Sequence, residues 1–106
     1  MGLLQLLSIW RPSDQLAEIA TQIAERSRRE VSQRVAERTA GMSSAERRGY
    51  IRARSAAVIH REVDVALRKQ PQLKADDRTA LLQLATEAVV TAVAAEKAGA
   101  RKRRVA

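Results

Sequence analysis

The chain has 106 residues, 45% of them apolar, yet 20 of those are alanine and none is Phe. Leu, Ile and Val number 24, just above the roughly one-fifth below which a highly charged chain stays disordered, so one modest domain can form and two cannot. The net charge of +8 points toward acidic partners, the lack of cysteine excludes a disulfide scaffold and thiolate chemistry, and a single histidine excludes a multi-histidine metal site within one chain.

Residues 1–12 form an apolar arm. It lacks the positive n-region and the small-residue cleavage site of a secretory signal, and it is too short to span a bilayer, which takes about 20 residues. Residue 6 is Leu, where the myristoylation pattern needs Ser or Thr. A cytoplasmic protein is the expectation, and arginine outnumbering lysine 16 to 4 beside abundant alanine suggests a GC-rich, bacterial coding sequence. Wound as a helix, the arm groups Leu3, Leu6, Leu7 and Trp10 on one side, with Gln5 and Ser8 on the other. Two or three turns are marginal alone in water, so the arm is expected to dock. A groove of its own domain or a neighbouring subunit is favoured over a membrane, because Arg11 is the only nearby cation.

Pro12, Gly41, Pro71 and Gly99 divide the rest into segments of about 25 residues, and no alternating run reads as a strand. The class is therefore all-α: an antiparallel bundle of three long helices over 13–99, followed by a basic tail, 100–106. The first helix is expected to start behind Ser13 or Asp14 as N-cap and to end near Ala40, with Gly41 as its left-handed C-terminal residue. Its single apolar stripe is Leu16, Ile19, Ala20, Ile23, Ala24, Val31 and Val35, so it lies on a surface. The second begins at Ser43, whose spacing to Glu46 is a capping box, and ends before Pro71. The third starts at 75–77, with acids suited to the helix dipole, and runs to about Ala98. Its apolar residues, among them Leu81, Leu84, Ala85, Val89 and Val93, cover half its circumference and predict the most buried element.

The second helix carries apolar residues on two opposite sides. One face is broad and rich in small residues: Ala45, Gly49, Ala53, Ala56, Ile59, Val63, Ala66 and Leu67. The other is a heptad row, Ile51, Val58 and Val65, flanked by a second row, Arg47, Arg54, Arg61 and Arg68. Neighbours in a three-helix bundle lie on one side of a helix, so opposed apolar faces make this helix either the middle of a flat layer or, the favoured reading, the site of a second chain on the heptad row. Thin aliphatic content points the same way, since oligomerisation supplies the core that a small chain lacks. Gly49, which costs about 1 kcal/mol relative to Ala inside a helix, suggests a close helix approach on the other face.

Positive charge is concentrated in 41–74, at +5, and in 101–106, at +4. A nucleic-acid alternative therefore uses Arg47, Arg48, Arg54 and Arg61 with Arg101, Lys102, Arg103 and Arg104 to track phosphates. Arginines beside an apolar row also pack their stems over it and pair with acids of a facing helix, for which Glu18, Glu25, Glu30 and Glu37 are available. Tyr50, one aromatic alone, is a packed rim residue rather than a stacking platform.

Little else carries chemistry. His60 and Asp64, one helical turn apart, supply two metal ligands at most, no serine sits in a nucleophile turn, and the glycines are isolated. The expectation is a non-catalytic interaction module without cofactor or small-molecule substrate, which associates with itself or with a helical partner.

Overall fold

The computed structural model describes the backbone of residues 12–105 and the side-chain surroundings of residues 15–99. Among these residues three α-helices follow one another: α1 (Pro12–Val35), α2 (Ser44–Lys69) and α3 (Asp77–Val105). Each packs against the other two in an elongated bundle of 57 × 27 × 20 Å, with no strand among the described residues.

Helix α1 already includes Pro12, Ser13 and Asp14, so neither expected cap lies outside it. The helix stops at Val35, five residues before the expected end, because Ala36 takes the left-handed region at φ 42°. Three short turns then carry the chain across, closed by bonds from Arg38 N to Val35 O, Ala40 N to Glu37 O and Met42 N to Thr39 O. They bring Thr39 back onto the core at 4% exposure. Gly41 does adopt the left-handed conformation, at φ 82°, as part of this connection rather than as the cap of a long helix.

Helix α2 has the expected start. The Ser43 hydroxyl accepts from Glu46 N at 3.2 Å and the Glu46 carboxylate accepts from Ser43 N at 3.3 Å, which satisfies two of the donors a helix start leaves open. At Asp77 a similar reach-back occurs, its carboxylate accepting from Lys74 N at 2.9 Å. Helix α3 does not end near Ala98 but continues through the basic segment to Val105. Ala, Arg and Lys are strong helix formers and cations favour a helix C-terminus, which together outweigh one glycine at 99.

The core is built from Ile, Val, Ala and one Leu. Helix α1 contributes Ile19, Ala20, Ile23, Ala24, Val31 and Val35, the stripe expected from its spacing, with Leu16 packed at its edge. Helix α2 contributes Ile51, Val58, Ile59 and Val63, and α3 contributes Leu81, Ala85, Val89, Val90 and Val93. Helix α1 has more buried residues, but α3 exposes the smallest share of its described residues, as its broad apolar surface led one to expect. Its stretch Asp77–Gly99 is long and apolar enough to cross a membrane by composition, yet its apolar residues are shared between the core and the outside, where Leu84 is 42% exposed.

Candidate interaction surfaces

The two sides of α2 are arranged opposite to the sequence expectation. Ile51 and Val58 are 0% and 1% exposed, buried with Ser55, Ile59 and Val63 in the chain's own core, and Val65 is half-buried beside them. These residues are therefore not a free seam for a second chain. The expectation failed because the heptad row, not the small-residue face, is the side that α1 and α3 cover. Ala45, Gly49, Ala53 and Ala56 all face solvent, and only the C-terminal part of that broad face, Ile59 and Val63 with Ala66 and Leu67, reaches the core.

Ala57 extends the exposed strip, so Ala45, Gly49, Ala53 and Ala57 follow one another at intervals of four over three turns. A Cβ built at Gly49 meets nothing within 4 Å. Nothing inside the protomer requires glycine there.

The arginine row is divided by its neighbours. Arg47 donates to Met42 O at 3.3 Å and stays beside the preceding loop. Arg54 lies over the Tyr50 ring, 5.5 Å from its centroid, while Tyr50 packs against the core edge. Arg61 forms a fork with Glu30 of α1 at 2.6 and 3.3 Å and also reaches Glu62 at 3.3 Å. Arg34 approaches the same Glu30 from the next turn, at 3.1 Å. The hydrogen bond from Arg61, supported by Arg34, holds the Glu30 carboxyl below its ordinary range against the opposing effect of desolvation, and Glu30 in turn raises Arg61. Arg68 is exposed and has no ion pair among the described residues. Pairing with a facing helix is thus seen for Arg61, through Glu30.

Arg48, outside the row, lies with Arg52 on the α3 side. Arg52 pairs with Glu87 at 2.6 Å, and Arg48 reaches Glu87 at 3.7 Å and Thr91 at 3.4 Å. Farther along the same seam Arg78 of α3 pairs with Asp64 and places Nη2 3.4 Å from His60 Nδ1. Partners that descend along α3 as the residues of α2 ascend make the two helices antiparallel. The His60 and Asp64 pair thus holds an arginine, and among the described residues no group of three His, Cys, Asp or Glu gathers as metal ligands.

Helices α1 and α3 meet at Glu96, which accepts from Ser32 Oγ at 3.3 Å and lies 3.8 Å from Arg28 Nε. Sequence spacing did not single out this contact, because its partners come from helices separated by the whole of α2. Leu3, Leu6, Leu7 and Trp10 lie outside the described residues. For Arg101, Lys102, Arg103 and Arg104 the helical backbone alone is described. No family model, no curated protein and no solved structure matches the chain.

Proposed function

We propose that this chain is a non-catalytic helical interaction module that associates with a second copy of itself through the outward face of α2. One observation carries the proposal: Ala45, Gly49, Ala53 and Ala57 form an exposed, uncharged strip with open space at the glycine. Glycine is costly within a helix, and a facing backbone that approaches closely offsets that cost. Flanking Tyr50, Arg54 and Arg61 supply the aromatic and arginine residues in which protein interfaces are enriched.

A second reading uses the edge between α1 and α2. Arg26, one turn before Glu30, joins Arg34, Arg54, Arg61 and Arg68 there, against Glu30 and Glu62. This excess of cations suits a polyanion such as duplex nucleic acid, with the helical extension to Val105 adding four more basic residues.

Solution mass across a concentration series, with and without duplex DNA at about 0.15 M salt, tests both readings. Self-association predicts a mass that rises with concentration for the native chain. Ala53→Glu, which changes an exposed residue, should then return the protein to monomer with its helicity intact. A native chain that remains monomeric at high micromolar concentration sinks the first reading, and one that gains no mass with DNA sinks the second.

A further inference from the structure

The seam between α1 and α3 has two unlike halves. Glu96 lies 19 residues into α3, and its partners Arg28 and Ser32 lie 16 and 20 residues into α1, so the two helices begin level and run side by side. Towards their C-termini this ion pair closes the seam. Towards their N-termini the stripes that lead up to these residues are uncharged, with Glu25 of α1 bordering the Glu96 end of the seam. Ala17, Thr21 and Ala24 precede Arg28 on the stripe of α1, and Leu84, Ala88 and Ala92 precede Glu96 on the stripe of α3. The hydroxyl of Thr21 bonds back to Ala17 O at 2.9 Å, which leaves its methyl group for the groove. Leu84, 42% exposed, is the one exposed large hydrophobic residue among those described.

We propose that the eleven residues ahead of Pro12 fold back into this groove and cover Leu84, Ala88, Ala17 and Thr21 with Leu3, Leu6, Leu7 and Trp10. Position and length both fit. The segment joins α1 at Pro12, level with the start of α3, which is the open end of the groove. Proline disfavours a helical residue before it, which suits a reversal of the chain at this point. Eleven residues span about 16 Å as a helix, within the roughly 24 Å from Pro12 to Arg28. The composition fits too. The segment holds five of the chain's 24 large aliphatic residues and its only tryptophan, while Arg11 is its single charged side chain, so it suits a groove that ends where charges begin.

The inference is independent of the α2 face, and the single tryptophan reports on it directly. In dilute, lipid-free buffer, Trp10 of the full chain should emit with a blue shift and resist a soluble quencher, independently of protein concentration. Leu84→Glu and Thr21→Lys, changes to exposed residues on the two walls of the groove, should each abolish the shift while far-ultraviolet circular dichroism stays that of the native chain. Ala53→Glu, outside the groove, should leave it intact. Water-like Trp10 emission in the native chain overturns the proposal, as does a shift that neither wall variant alters. A shift that grows with protein concentration assigns the arm to a second copy, and one that appears only with phosphatidylglycerol vesicles assigns it to lipid; either result also overturns the proposal.

Discussion

The two sides of α2 are built from similar residue types and have opposite fates. Both carry uncharged residues at helical spacing, yet one is sealed in the core around Ile51, Val58 and Ile59, and the other exposes Ala45, Gly49, Ala53 and Ala57. What separates them is side-chain size rather than polarity. Full burial of a branched aliphatic side chain is worth about 1.5 to 3 kcal/mol, whereas alanine adds little area, so α1 and α3 gain most by covering the Ile and Val row. An apolar stripe read without volumes gives the two sides equal standing.

Substitutions can break this contrast, and the largest effect is expected on the covered side. Val58→Glu places an unpaired charge in a fully enclosed site and should cost about 3 to 5 kcal/mol, a large part of the roughly 5 to 15 kcal/mol that holds small domains together. Loss of the cooperative thermal transition would be its signature. A folded, monomeric Val58→Glu protein would instead return the heptad row to an intermolecular seam.

A smaller effect of opposite sign is expected on the exposed side. Gly49→Ala meets open space and removes the backbone freedom of glycine, so the protomer should gain about 0.5 to 1 kcal/mol, seen as a rise of a few degrees in Tm at low protein concentration. The same change should weaken self-association by holding the two backbones apart. Destabilisation of the monomer would mean that some neighbour already occupies this position.

The smallest effect concerns the ion pair between α1 and the flank of α2. Glu30 is held below its ordinary value of 4.5 by Arg61, so what the pair contributes is fully present above that value and is lost as pH falls through the lowered one. Arg61, shifted upward, stays charged throughout this window. Comparing thermal stability of the native chain and Glu30→Gln from neutral pH down to about 3 should show a steeper acid loss for the native chain, and added salt should shrink the difference. Parallel curves would show that the pair adds nothing to stability.

Much of the fold was legible in the chain. Spacing identified the α1 stripe, the Ser43 and Glu46 capping box announced the start of α2, and Pro71 with the following acids placed the next boundary. These are local matters, settled within one or two turns by backbone geometry and a few hydrogen bonds. Two helix ends were misjudged for reasons that are not local. Ala36 accepts an unfavourable φ so that Thr39 can return to the core, and the C-terminal segment stays helical despite Gly99.

The amino-acid sequence by itself determined the helical class, the division of the described residues into three helices, the α1 core stripe and the concentration of arginine on α2. Tertiary structure alone decided which side of α2 is enclosed, that Arg61 meets Glu30 while Arg48 and Arg52 meet Glu87, and that Glu96 closes one half of the seam between α1 and α3. The physical reason is range. A helix and its caps depend on neighbours three or four residues away, whereas the partner of a face depends on where two other helices lie, and only the packed volumes of all three determine that.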